Sequence, residues 1–302
     1  MREHSFKQLR AIVTVFSISR YSAFDTRYFV ILINSYMPVT LDEIVAHTRL
    51  RLAGSKAVAD PQQLAAFADR HTCRGFRKSL KKAAQDGVAV IAELKKASPS
   101  RGTIRANFPV GRLASQLETA GAAALSVLTD ERFFQGSLGN LVEASTTTHL
   151  PCLRKDFVLD PFQLLEAKAN RADAVLLIMA ALTDAEFTVL HTHAQQLGLD
   201  VLCEVHTEDE LRRALDLGAE IVGVNNRDLR TFEVDLNTGL RLAAKIPDSV
   251  LKVTESGVSC GEDIRVLRSA GYQAFLIGEC LMRAESPGDE LRRLMTSALA
   301  AA

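Results

Sequence analysis

The chain has 302 residues, 47% hydrophobic and 24% charged, an ordinary globular composition that excludes a disordered or fibrous class. Its 36 basic residues balance 36 acidic ones, so no net positive field is available to hold a polyphosphate, and nucleic acid is excluded as a partner. Five scattered cysteines, Cys73, Cys152, Cys203, Cys260 and Cys280, share no C-x-x-C spacing, which argues against a disulfide framework or structural zinc and for a reducing cytoplasm.

Residues 1–36 read differently from the rest. Arg2, Lys7 and Arg10 precede an apolar run at 11–19, but Arg20, Asp25 and Arg27 break it. A spanning helix needs about 18 uninterrupted apolar residues, and no small-residue cleavage site stands out, so neither a membrane anchor nor a signal peptide is expected. The stretch reads as an atypical extension, with Met37 as an alternative start, and 37–302 as one catalytic domain. Residues 40–52, 61–68 and 76–84 then read as helices, and the basic cluster Arg77, Lys78, Lys81 and Lys82 as a solvated helix face.

From residue 88 one unit repeats: a short, almost wholly apolar run, a polar residue or two, then an amphipathic helix ending near Gly. The runs are 88–94, 122–128, 150–153, 174–179, 200–203, 221–224, 250–253 and 274–277. Continuous hydrophobicity marks strands covered on both faces, as in a parallel sheet wrapped by helices. Thr183 with Glu186, Thr207 with Glu210 and Ser259 with Glu262 have capping-box spacing, and Asp160 before Pro161 marks another helix start. Gly121, Gly198, Gly218 and Gly271 stand where helices should stop. Eight units predict an α/β fold, a (βα)8 TIM barrel with extra N-terminal helices before strand one. The alternative, an open doubly wound sheet, would want a glycine-rich first turn that is absent. His191 and His193, two apart on a helix, point to different sides and read as solvated rather than as metal ligands.

Barrel enzymes carry their chemistry at the C-terminal strand ends. Strand one ends in Glu93-Leu94-Lys95-Lys96, strand three in Arg154-Lys155-Asp156, strand five in Glu204, strand six in Asn225-Asn226-Arg227-Asp228 and strand seven in Glu255-Ser256-Gly257. Each alone fits a charge reaching water, but five together point to a reactive mouth. After strand eight, Gly278 and Glu279 open a short helix at 279–283, and Ser286-Pro287 starts another. With Ser256 and Gly257 these suit a phosphate held by backbone N–H groups, unless the glycines serve only as tight turns. Lysines beside glutamates suit acid–base work, and Lys155 alone would equally suit a Schiff base.

Taken in order, these segments resemble the indole-3-glycerol-phosphate synthase family of tryptophan biosynthesis. The resemblance runs from about Val39 to the end. It rests on Ile91 through Ser100, Ser126-Val127-Leu128-Thr129-Asp130 with Phe133-Phe134-Gln135-Gly136, Leu153 through Phe157, Glu204-Val205-His206, Asn225 through Leu229, Glu255-Ser256-Gly257 and Leu276 through Glu279. It implies a carboxy-lyase acting on a small phosphorylated, anthranilate-derived substrate, with no metal or organic cofactor, as a monomer or weak homo-oligomer. By the same resemblance Lys155 is the general acid, Lys95 holds the substrate carboxylate, Glu204 serves a later acid–base step, and Glu93, Asn225 and Glu255 orient these groups. Ser256, Gly257, Gly278 and Glu279 are implied for phosphate, Ser98 and Arg227 for supporting contacts. Pro99, Phe134, Phe157 and Leu229 stand in the loops that should wall an aryl ring, or else simply pack the core. Departures from the family pattern are a shortened Asn107-Phe108-Pro109, Thr254 in place of Ser, and Arg171 where Gly is common. The rival readings are a phosphosugar isomerase, a Schiff-base aldolase and a noncatalytic barrel scaffold.

Overall fold

Strands apolar on both faces need an apolar layer on each side. In the computed structural model, which describes residues 39–229 and 231–300, eight of them roll into a closed parallel barrel. They are β1 (Ala89–Leu94), β2 (Ala124–Leu128), β3 (Cys152–Lys155), β4 (Ala174–Ile178), β5 (Asp200–Val205), β6 (Ile221–Asn225), β7 (Leu251–Glu255) and β8 (Ala274–Ile277). Closure is made by β1, which sets Ala89 opposite Ala274 of β8 and Ile91 opposite Ala124 of β2. Val39–Ala302 forms one compact unit; the reading of residues 1–36 as an extension lies outside the described residues. No helix among the described residues is long and apolar enough to cross a membrane.

Side-chain alternation sorts each strand into two cores. Ile91, Leu153, Leu176, Leu202, Ile221, Leu251 and Leu276 fill the barrel, whereas Val90, Val127, Val175, Val222 and Phe275 pack outward under the helices. Among the described residues three helices precede β1: α1 (Leu41–Val58), α2 (Pro61–Asp69) and α3 (Phe76–Asp86). Phe76 and Leu80 of α3 are completely buried within the inner core, so this helix stoppers the N-terminal end of the barrel. Ser79 fastens it by donating to the Ala123 carbonyl at 2.6 Å.

Local signals acted as their chemistry requires, with two shifts. Thr183 and Glu186 form a reciprocal capping box. Thr207 accepts from the Glu210 N–H, but the Glu210 carboxylate turns to His206 and leaves that box half closed. The expected Ser259 and Glu262 box is corrected by one position: Asp263 accepts the backbone N–H groups of Ser259 and Cys260, because the helix starts at Gly261. Gly121, Gly198, Gly218 and Gly271 take φ between 73° and 102°, the left-handed region. Arg171 takes the same region at φ 69° after the helix Pro161–Ala169, without glycine's freedom.

At the N-terminal rim a dense polar knot surrounds Asp173. Its carboxylate accepts from Arg74 Nε and Nη2, from the Arg74 and Cys152 backbone N–H groups, and lies 3.2 Å from His71 Nε2. Burial would raise this carboxyl, but the His71 and Arg74 bonds hold it below its ordinary value. His71, Cys73 and Asp173 bring possible ligand atoms within 4.8 Å of one another, yet Asp173 has no lone pair left for an ion. The basic cluster behaves in part as expected: Lys78, Lys81 and Lys82 are exposed, while Arg77 is half-buried against Glu220 at 2.7 Å.

Candidate active site

The opposite, C-terminal rim opens on a cavity of about 460 Å³, and all sixteen residues singled out from the sequence line it. The strands carry more of the site than the apolar runs suggested. Lys155, Asn225 and Glu255 are the last residues of β3, β6 and β7, and Glu93 and Glu204 lie one from the ends of β1 and β5. Strand β3 starts later than residue 150, where Pro151 has no N–H to give the ladder, and it ends at Lys155 rather than at residue 153.

Alternation from the inner-core residues Ile91, Leu153, Leu202, Ile221 and Val253 points Glu93, Lys155, Glu204, Asn225 and Glu255 into one space. There Lys155 Nζ donates to Glu204 Oε2 at 2.8 Å and to Glu255 Oε2 at 2.9 Å. Asn225 Nδ2 donates to the other Glu204 oxygen at 3.2 Å, and Lys95 pairs with Glu93 at 2.5 Å. Glycines make room for this crowd. A Cβ on Gly223 would collide with Glu255 Oε1, and one on Gly278 with Glu93.

The two carboxylates bonded to Lys155 are driven apart electrostatically. Burial raises Glu204, but Lys155 and His206 outweigh it and hold the carboxyl well below the usual range. Burial, helped by the charges of Glu204 and Glu93, pushes Glu255 up to about 7 against the pull of Lys155. Glu255 Oε1 is buried with no hydrogen-bond partner. Burial also disfavours the Lys155 ammonium, yet Glu204, Glu255 and Glu93 overcome this and keep the amine charged. One carboxylate is thus ionised in the resting site and its neighbour titrates near neutrality, the arrangement that separates acid–base roles.

Across the mouth, Ser256 and Gly257 both have positive φ, 63° and 89°. Asn226 holds that turn, donating to Thr254 Oγ1 at 3.0 Å and to the carbonyls of Glu255 and Ser256. The short helix Glu279–Arg283 begins beside it. The Glu279 carboxylate lies between three arginines, 3.1 Å from Arg283, 3.3 Å from Arg101 and 3.6 Å from Arg227, leaving this end net positive. Ser98 and Pro99 belong to a hairpin, Ala97–Ser98 with Gly102–Thr103, at the rim. Phe134 and Phe157, 6.5 Å between ring centroids, line the cavity with Pro99, Leu229 and Ile44.

This geometry has a counterpart in known proteins. The sequence pattern described as indole-3-glycerol phosphate synthase matches residues 41–294. The chain belongs to the indole-3-glycerol phosphate synthase family. The family member of Koribacter versatilis is 58% identical over 259 residues, covering 86% of this chain and all of that one. That of Burkholderia ambifaria is 46% identical over 255 residues, covering 84% and 98%. Among solved structures, a 3-hexulose-6-phosphate synthase matches 70% of this chain and 99% of its own with a TM-score of 0.57 at 16% identity, a likeness of fold alone.

The departures from the indole-3-glycerol phosphate synthase pattern each find a place. Thr254 keeps a buried hydroxyl for Asn226 to bond. The shortened segment at 107–109 follows Arg105, whose guanidinium donates to the carbonyls of Met282, Ala284 and Glu285 and ties the strand-one loop to the end of the short helix Glu279–Arg283.

One group read as reactive is corrected. Arg154 and Asp156 flank Lys155, so alternation turns both side chains off the barrel axis into a buried network with Arg51, Thr129 and Glu166, Asp156 still bordering the cavity. Burial opposes the charge on Asp156, but Arg154 and Arg51 hold its carboxyl below the ordinary value. Residues that sequence reasoning passed over include Arg101, next to the quoted Ser100, and His206, quoted but given no role. Arg51 and Ile44 lie on α1 about a hundred residues before their partners, where no local pattern marks them.

Proposed function

We propose that the chain is an indole-3-glycerol phosphate synthase, closing 1-(2-carboxyphenylamino)-1-deoxyribulose 5-phosphate to the indole with loss of carbon dioxide and water. Lys155 gives its proton to the ketone oxygen as the ring carbon bearing the carboxylate attacks the ketone carbon. Negative charge grows on that oxygen, and a fixed ammonium in a water-poor mouth neutralises it at little reorganisation cost. Lys95, steadied by Glu93, holds the substrate carboxylate until it leaves. In the dehydration Glu204 takes a proton from the ring-closed intermediate and Lys95 gives one to the departing hydroxyl, which leaves as water, while Asn225 and Glu255 fix Glu204 and Lys155 in register. Phosphate lies against the backbone of Ser256, Gly257, Gly278 and Glu279 with Arg227 nearby, Ser98 supports the rim, and Pro99, Phe134, Phe157 and Leu229 wall the aryl ring.

The observation that carries this reading is the pair of hydrogen bonds that Lys155 donates to Glu204 and Glu255, at 2.8 and 2.9 Å. A Schiff-base aldolase needs a neutral amine, and this one is held as an ammonium. A sugar isomerase using a thiolate is disfavoured as well, because burial pushes the thiol of Cys280, the cysteine lining the cavity, up to about 11. Five free cysteines support the cytoplasm as its compartment. A mouth complete within one copy supports action as a monomer or weak homo-oligomer.

The chain contains no Trp, so indole fluorescence appearing with this substrate reports product alone. Tight binding of the substrate without that signal would leave a scaffold barrel as the better account.

A further inference from the structure

The imidazole of His206 sits behind Glu204, beside the oxygen that Lys155 does not use. Its Nε2 lies 3.3 Å from Glu204 Oε1 and its Nδ1 3.3 Å from Glu210 Oε2. Nε2 has no hydrogen-bond partner, so its contact with Glu204 is an ion pair. Glu210 Oε2 also accepts the His206 backbone N–H at 2.8 Å, clamping ring and main chain with one oxygen.

That clamp is made at the expense of the helix. Glu210 stands where a capping-box carboxylate would reach back to Thr207, and the helix Glu208–Asp216 keeps only the Thr207 half of the box. The diverted carboxylate secures a side chain with no part in helix capping, which contacts the catalytic Glu204.

We propose that His206 is a positioning residue of the reaction: held by Glu210, its imidazolium keeps the Glu204 carboxylate ionised and fixed in orientation against Lys155 and Asn225. This rests on the acid–base reading of Glu204. The charged groups facing His206 are Glu204 from β5 and Glu210 from the helix Glu208–Asp216; those facing Glu204 are His206, Lys155 from β3 and Glu255 from β7. Burial lowers the imidazole, but the adjoining carboxylates of Glu204 and Glu210 lift it to about 10, so the ring stays charged through neutral pH.

The test is the pH dependence of kcat and KM for the full chain and three variants. In His206→Gln, kcat should fall about 10- to 100-fold with KM little changed, because a misplaced group costs rate more than binding. Without the neighbouring cation Glu204 ionises less readily, so the acid limb of kcat should move to higher pH. His206→Lys should bring the limb back, and Glu210→Gln should shift it partway. A His206→Gln enzyme that loses only melting temperature, its acid limb unmoved, overturns the proposal. Proton NMR of the unmutated chain gives a readout independent of turnover and of variant folding: at least one of the seven imidazoles should remain charged at pH 8.5, and none doing so also overturns it. Failure of the unmutated chain to make indole would count against the reaction assigned above, and the imidazole titration would still decide the clamp.

Discussion

The two ends of the barrel each bury a charged cluster, and the clusters are finished differently. At the N-terminal rim Asp173 is matched by Arg74, His71 and two backbone N–H groups, so each of its oxygens has partners. At the C-terminal mouth Lys155 is shared by two glutamates, one of which leaves an oxygen bare. Satisfied buried charge fixes structure, whereas unsatisfied buried charge stores electrostatic work that a substrate can release. The contrast predicts that damage at the floor appears as stability and damage at the mouth as rate.

The largest expected effect is at the mouth. Lys155→Ala should lower kcat by about 10² to 10⁴ through loss of the acid, measured as single-turnover indole formation. A rate within twofold of the unmutated enzyme would dissolve the distinction between the two ends. Next in size, Asp173→Ala should cost about 3–5 kcal/mol by denaturant unfolding, because it strands the Arg74 guanidinium, while kcat of the folded fraction stays unchanged.

The opposite pH signs sharpen the comparison. Asp173 has a depressed carboxyl, so its contribution to stability is present above the unfolded value of 3.8 and is lost as pH falls through the folded one. Glu255 is raised from 4.5 to about 7, so the unfolded chain gives up its proton first and stability declines as pH rises between these values. Thermal melts from pH 5 to pH 8 should show that decline, and Glu255→Gln should flatten it. Each kcal/mol corresponds to about 1.5–2 °C in a chain of this size. The smallest effect belongs to the floor: Arg171→Gly should stabilise by about 1 kcal/mol, by relieving a left-handed residue. Equal or lower stability in that variant would show that Arg171 makes contacts worth more than its strain.

These contrasts show what the amino-acid order carries and what it conceals. Eight apolar runs and their caps specified the barrel, because burial on both faces leaves no alternation and helix ends carry their own chemistry. The inward residues at the mouth were legible from position alone. Arg154 and Asp156 were misjudged because their meaning depends on strand parity, and parity is known only once the strand is seen to reach Lys155. The Ser259 box missed by one residue, since Glu262 and Asp263 are both acceptors and only the geometry of the turn chooses between them. Pairs such as Arg51 with Asp156 are joined by folding across 105 positions, and nothing near either residue announces the other.

The stopper formed by Phe76 and Leu80 has a kinetic consequence. With the barrel interior packed and its lower end covered by the helix that carries them, the cavity among the described residues opens at the C-terminal rim, so substrate enters and carbon dioxide, water and the indole-3-glycerol phosphate product leave there. The hairpin at residues 97–103 and the arginines gathered around Glu279 therefore border both entry and exit.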